Sequence, residues 1–166
     1  MPASAVVRVT VDGKLSGAVD IGEVIHNILY GPTYALSDGS GADQISQVFA
    51  DQRTLTASAT EDLDLNGVLV NAIGATVSFT KVRGLMIRAA AANVNDVVVG
   101  AAATNAVSTI FGATTHTIKV KPGGVLLLMA PDVNGYGITA ATADLLKIAN
   151  GGAGTSVVYD IVVLGS

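Results

Sequence analysis

The sequence predicts an all-β protein, a jelly-roll-like β-sandwich preceded by an irregular N-terminal segment. Three observations predict it. Short apolar runs, several of them alternating with polar residues, recur about every ten residues, with Gly, Pro, Asn and Asp between them, which is the spacing of a sandwich or barrel. The apolar half of the chain is mostly Ala, Val, Leu and Ile, with no Trp, few Phe or Tyr and 19 Gly. No strand-then-helix alternation suggests a parallel sheet. A chain of 166 residues fits one domain, and at that size folding buries roughly 70% of the surface the unfolded chain exposes. Residues 51–166 are expected to form the sandwich. Residues 1–50 are expected to be an arm or extra strands, attached to the same domain.

The elements follow in chain order. In "AVVRVTV", Val7, Val9 and Val11 share one side, Arg8 and Thr10 the other, and Asp12-Gly13 signals a turn. Between Asp20 and Leu36 the pattern allows a short helix around Glu23 to Leu29 or two strands, interrupted at Gly31-Pro32 and again at Asp38-Gly39. "ADQISQVFADQ" places Ile45, Val48 and Phe49 at i, i+3, i+4, one helical turn or a shaped loop. "RTLTASATEDLDLNG" reads as the clearest strand: Leu55, Ala57, Ala59, Leu63 and Leu65 share one parity, Thr54 to Asp64 the other. Glu61 breaks the apolar parity and marks a bulge or strand end. "KVRGLMIRAA", "NDVVVGAA" and "THTIKVK" follow as strands, then a Pro122-Gly123-Gly124 turn. "VLLLMAP" is a continuous apolar run and reads as a strand buried on both faces. "YGIT", "DLLKIAN" and "SVVYDIVVLG" complete eight to ten strands between Val6 and Leu164.

Composition bounds the function. Only 13% of residues are charged, against about 25% in an average soluble domain. A Thr-, Ser- and Asn-rich surface of that kind suits an assembly component partly covered by other subunits. The net charge of −4 provides no footprint for nucleic acid, which requires clustered Lys and Arg. Without Cys there is no disulfide, thiolate metal site or Cys nucleophile. The opening "MPASAVVRVTVDGK" lacks a signal-peptide pattern, and the uncharged window Val97 to Thr115 is too polar for a spanning helix, so a soluble chain without membrane contact is expected.

Four groups of residues invite a chemical reading. Asp62 and Asp64 share a strand face and could supply part of a hard-cation site; Glu61 points the other way. With no EF-hand spacing and no nearby His, they read as a solvated face ending at Asn66-Gly67. Its acidity suggests contact with a basic partner surface. His26 and His116 have no partners identifiable in sequence for a metal triad or a Ser–His–acid set, and read as packed or hydrogen-bonded structural residues. "DGSGAD", "NGGAGTS" and "KPGGV" lack the spacing and Lys of a phosphate loop and read as turns. Arg83 and Arg88 could meet a partner's carboxylates, or serve as solvent-facing or intrachain pairs. No catalytic, cofactor-binding or metal-binding residue is assigned, and no enzyme is expected.

Three segments taken together resemble small virion-associated structural proteins of tailed bacteriophages: "ADQRTLTASATEDLDLNGVLVNAIGATVSFTKVRGLMIRAA", "KPGGVLLLMAPD" and "GYGITAATADLLKIANGGAGTSVVYDIVVLG". The resemblance runs from roughly Asp43 to Gly165 and lies in the order of segments. It implies no catalytic residues. It implies a capsid-decoration (cement) role: a homo-oligomer on the particle surface, assembled in the host cytoplasm, with the major capsid protein as partner. A tail or neck protein is the alternative within that class. A receptor- or carbohydrate-binding sandwich is the alternative outside it, weakened by the scarcity of aromatic residues, which are 4% of the chain. Residues Met1 to Phe49 are the expected contact segment.

Overall fold

A computed structural model describes residues 2–100 and 102–166. Among them the strands are β1 (Ala5–Arg8), β2 (Val11–Ala18), β3 (Glu23–Tyr30), β4 (Thr33–Asp38), β5 (Gln44–Ile45) and β6 (Gln47–Leu55). They continue as β7 (Thr60–Asp64), β8 (Asn66–Val70), β9 (Thr76–Ser78), β10 (Lys81–Ala89), β11 (Val97–Gly100) and β12 (Thr117–Val120). The last are β13 (Val125–Met129), β14 (Tyr136–Gly137), β15 (Leu145–Asn150) and β16 (Val157–Gly165), with one short helix, α1 (Ser108–Phe111). The protein is the all-β sandwich expected from the periodicity.

Two sheets form its body. One runs β13-β10-β16-β6, with β14 beside the start of β10; the other runs β12-β11-β15-β7. The pairing is nested: β6 with β16, β7 with β15, β10 with β13, β11 with β12, all antiparallel. Alternation decides the core, because side chains two apart share a face. From β16 come Val157, Tyr159, Ile161 and Val163, from β10 Leu85, Ile87 and Ala89, from β15 Leu146 and Ile148, and from β11 Val97 and Val99, all essentially without solvent contact. Phe49, Leu55 and Leu63 join them from β6 and β7.

A third layer lies outside the β6-containing sheet. β1, β4 and β5 form a small sheet whose Leu36 and Ile45 pack with Ala5 and Val7 on Val48, Met129, Val162 and Leu164. β1 pairs with β4 from Ala5↔Leu36 to Arg8↔Thr33, and β2 pairs with β3 from Val11↔Tyr30 to Ala18↔Glu23. Both ladders keep one register, and the Val9 amide donating to the Pro32 carbonyl at 3.1 Å joins them. They form a single ribbon whose base lies on the sandwich and whose outer half, from Thr10 to Gly31, projects away from it; every residue of that half is exposed except Gly13, which is half-buried.

Several expectations are corrected. The N-terminal segment is not irregular but strand along most of its length, and the helix considered for Glu23 to Leu29 is β3. Asp12-Gly13 is not a turn; Gly13 pairs with Ile28 inside the ribbon. "ADQISQVFADQ" is β5 and β6, without a helical turn. The single strand expected across Arg53 to Leu65 is two strands in two sheets, because the chain crosses the sandwich at Thr56–Ala59, where Ser58 takes φ 57°. β13 is an edge strand with Val125 exposed and Leu126 to Met129 half-buried. It is apolar on both faces for a different reason: Leu126 and Leu128 meet the core, while Met129 meets the N-terminal layer. Residue 50 lies within β6. Met1, at the head of the expected contact segment, and Ala101, the last residue but one of "NDVVVGAA", lie outside the described residues.

Candidate functional site

Edge strands β6 and β7 face each other across one open flank of the sandwich. Their inward positions there are charged: Asp51 and Arg53 lie on the parity of Phe49 and Leu55, and Glu61 on that of Leu63. Arg53 donates to Glu61 through Nε at 2.8 Å and Nη2 at 2.7 Å, and to Asp51 through Nη1 at 2.9 Å. The fully buried Tyr159, paired with Arg53 in the ladder, donates its hydroxyl to the other Glu61 oxygen at 2.5 Å. Burial first, then the bond to Glu61, pushes the Tyr159 phenol well above its ordinary range; the Glu61 bond raises Arg53 against the opposing effect of burial. Inward-facing charge on an edge strand blocks further strand pairing. The cluster closes a flank. Each member is occupied by the others, and the arrangement presents no free nucleophile or base.

Arg83 is the second unusual group. It is fully buried at the bulge between Val82 and Gly84 of β10, which turns its side chain out of the ladder. Its guanidinium donates to backbone carbonyls: Gln44 at 2.8 Å, Ser40 at 2.7 Å and Asp132. The β4–β5 loop and the β13–β14 loop are thus held by one side chain, assisted by the Asp43 amide donating to the Pro131 carbonyl at 2.7 Å. Sequence gave Arg83 a role at a partner surface or in an ion pair. It is instead an internal tie between the N-terminal layer and the sandwich. Arg88 is the intrachain pair, 3.3 Å from Asp160, which also accepts from Gln52 at 2.8 Å.

The remaining sequence candidates separate. Asp62 and Asp64 lie on the outer face of β7, with Asp62 opposite Lys147 of β15 and Asp64 accepting from the Asn66 amide at 2.8 Å. Glu61 faces the other way, as the parity requires. His26 lies exposed on the projecting ribbon opposite Leu15; His116 is exposed, its Nδ1 2.8 Å from the Phe111 carbonyl. The glycine-rich segments turn the chain and use their own amides, such as Gly41 donating to Gln44 Oε1 at 2.8 Å and Gly124 to the Lys121 carbonyl at 2.7 Å. Among the described residues no three His, Asp or Glu side chains come together as a metal site. No described helix is long and apolar enough to cross a membrane.

What the surface does offer is an apolar arm and a groove. Seven large hydrophobic residues between Val11 and Tyr30 lie on the ribbon strands, with Val19 and Ile21 in the turn between them, and Ile21 is 95% exposed. Beside the ribbon's base an open groove of about 720 Å³ runs between β6 and the β8–β9 tip, lined by Pro2, Ala3, Val48, Ala50, Ala72 and Ile73 among others. The sequence pointed to Met1 to Phe49 as an expected contact segment but not to the groove, because its walls come from three separate parts of the chain. No protein-family model matches this sequence, and no curated protein or solved structure is significantly similar to it.

Proposed function

We propose that this chain is a structural protein of a tailed-phage particle, most concretely a non-enzymatic decoration protein that binds the major capsid protein on the head surface as a homo-oligomer. The observation that carries the reading is the projecting ribbon: a soluble body extends an apolar, uncovered arm, which suits a subunit completed by its neighbours. Two further points support it. The four nested strand pairs are read here as a jelly roll, a wrapping used by viral capsid and lectin domains. The order of segments between Asp43 and Gly165 resembles that of small phage virion proteins. Docking through acidic charge alone is not part of the proposal, because Lys119 and Lys147 share the outer face that carries Asp62 and Asp64.

The copy number of this protein in purified particles tests the reading, by quantitative mass spectrometry against the major capsid protein. Hundreds of copies per particle are expected. A few to a few tens would move the protein to the tail or neck, and absence from the particle would sink the virion reading.

A further inference from the structure

The ribbon's two faces differ. Directly paired residues of an antiparallel ladder share a face. One face of the outer half therefore carries Val11, Gly13, Leu15 and Gly17 with Tyr30, Ile28, His26 and Val24; the other mixes Leu29 and Ile25 with Asp12, Lys14, Asn27 and Glu23. The first face has no carboxylate, Lys or Arg. Because β1–β4 continues the register, it is also the face that at the base presents Ala5, Val7 and Leu36 to the outer side of the β6-containing sheet. An apolar stripe that is buried at one end thus runs on past the edge of the body with nothing beneath it. Leu15 is 71% exposed and Tyr30 67%. A two-stranded hairpin alone in water is marginal at best, so this half requires a covering surface.

The same outer sheet face holds a surface of matching chemistry. No residue lining the β6 groove is charged, and its rim carries Ile73, exposed at 64%. The arm cannot reach its own chain's groove without breaking the ladder that sets its direction. We propose that the outer half of the ribbon docks, apolar face down, in the β6 groove of a second copy of this chain, continuing on a neighbour the contact that its base makes at home. A bulky aliphatic side chain offers roughly 60–120 Å² of buriable apolar surface. The five large residues of this face, Val11, Leu15, Val24, Ile28 and Tyr30, then supply on the order of 400 Å², below the ~800 Å² per partner of a stable interface. Each copy must therefore both give an arm and receive one, which closes the assembly as a reciprocal dimer or a ring.

The test uses the purified chain alone, so its outcome is separate from the virion reading. The chain has no Cys, so engineered thiols report single contacts. Leu15→Cys protein mixed with Ile73→Cys protein is expected to form a mixed disulfide dimer under mild oxidation. In analytical ultracentrifugation the unmodified chain is expected to sediment as a closed oligomer. The double substitution Leu15→Asp, Ile28→Asp on the arm is expected to reduce it to monomer mass, and so is Ile73→Asp in the groove. Both sites are exposed and outside the core, and an unchanged circular dichroism spectrum checks that the body is folded. A monomeric unmodified chain would overturn the proposal. So would an oligomer indifferent to both variants, or Leu15→Cys protein that crosslinks only to itself, which would mean arm on arm.

Discussion

At the scale of single residues, a few engaged polar groups add to what the apolar core contributes. Arg83 is the strongest case, since its planar fork reaches carbonyls in two loops at once. Lys offers one point charge with three donors and cannot span them. Arg83→Lys and Arg83→Met are both expected to lose about 3 kcal/mol or more in urea denaturation, because buried carbonyls without donors cost roughly 1–3 kcal/mol each. Glu61→Ala leaves the Tyr159 hydroxyl without its acceptor and Arg53 with Asp51 alone, and is expected to cost about 2–3 kcal/mol; Tyr159→Phe removes one bond and is expected to cost about 1 kcal/mol. The two substitutions also differ with pH. The folded-state pKa of Tyr159 is raised, so its contribution is whole below the ordinary phenol value of about 10 and declines as pH rises above it. Alkaline loss of stability is thus expected to be shallower in Tyr159→Phe. Asp132 has the opposite sign. The amides of Asn134 and Gly135, and then Arg83, hold its pKa below the usual carboxylate value. Its contribution is present above about pH 4 and is lost as pH falls further. In denaturation series from neutral to acid pH, Asp132→Asn is expected to show the smaller loss. Gly100, at φ 140° with the His116 carbonyl where a Cβ would stand, is expected to tolerate no side chain; Gly100→Ala should cost more than about 2 kcal/mol.

At the scale of elements, the ribbon separates two jobs along one ladder. Its base is held by Leu36, Ile45 and the Arg83 tie and belongs to the body. Its outer half contributes almost no burial to its own chain. Replacing residues 11–30 by a two-residue turn is therefore expected to shift the thermal midpoint of the monomeric body by no more than a few °C, while abolishing self-association. A large drop in the midpoint would show that the arm stabilises its own chain. Edge strands divide in the same way. β6 and β7 turn charge inward on their open flank, and β13 is covered on one side by the N-terminal layer.

At the scale of the whole molecule, the nested pairing joins strands far apart in sequence, β6 with β16 at the extreme. Among the described strands that line the core, the pairs that join neighbours in the chain are β11–β12 and β8–β9, the latter contributing Leu69 and Val77. Such non-local topologies fold in roughly milliseconds to seconds, and stopped-flow refolding of the isolated chain is expected in that range. A microsecond phase recovering the full amplitude would contradict it. The outer face of one sheet is polar, with Asp62 opposite Lys147, while that of the other carries the third layer, the arm and the groove. The apolar arm and the uncharged groove therefore gather on one side of the sandwich.

Local pattern alone was enough for the sandwich strands. "KVRGLMIRAA", "THTIKVK" and "DLLKIAN" are legible as strands, and alternation in "THTIKVK" also separates Ile118 and Val120 from Lys119; in "KVRGLMIRAA" the bulge after Val82 shifts the phase, so that Val82 and Leu85 both face inward. The same parity put Glu61 on the inner side, against Asp62 and Asp64, although nothing nearby in sequence named Arg53 and Tyr159 as its partners. The crossing at Thr56–Ala59 was hidden, since it leaves the parity of Leu55 and Leu63 intact while moving them to different sheets. Arg83 could not be placed either: its partners are backbone carbonyls, which every residue has. Composition and periodicity thus determined the fold class and the inward parity of the plainly alternating strands. Only the tertiary structure decided which strands pair, where a buried guanidinium finds its acceptors, and which apolar face is left without a neighbour, because each depends on segments that meet only after the chain has folded.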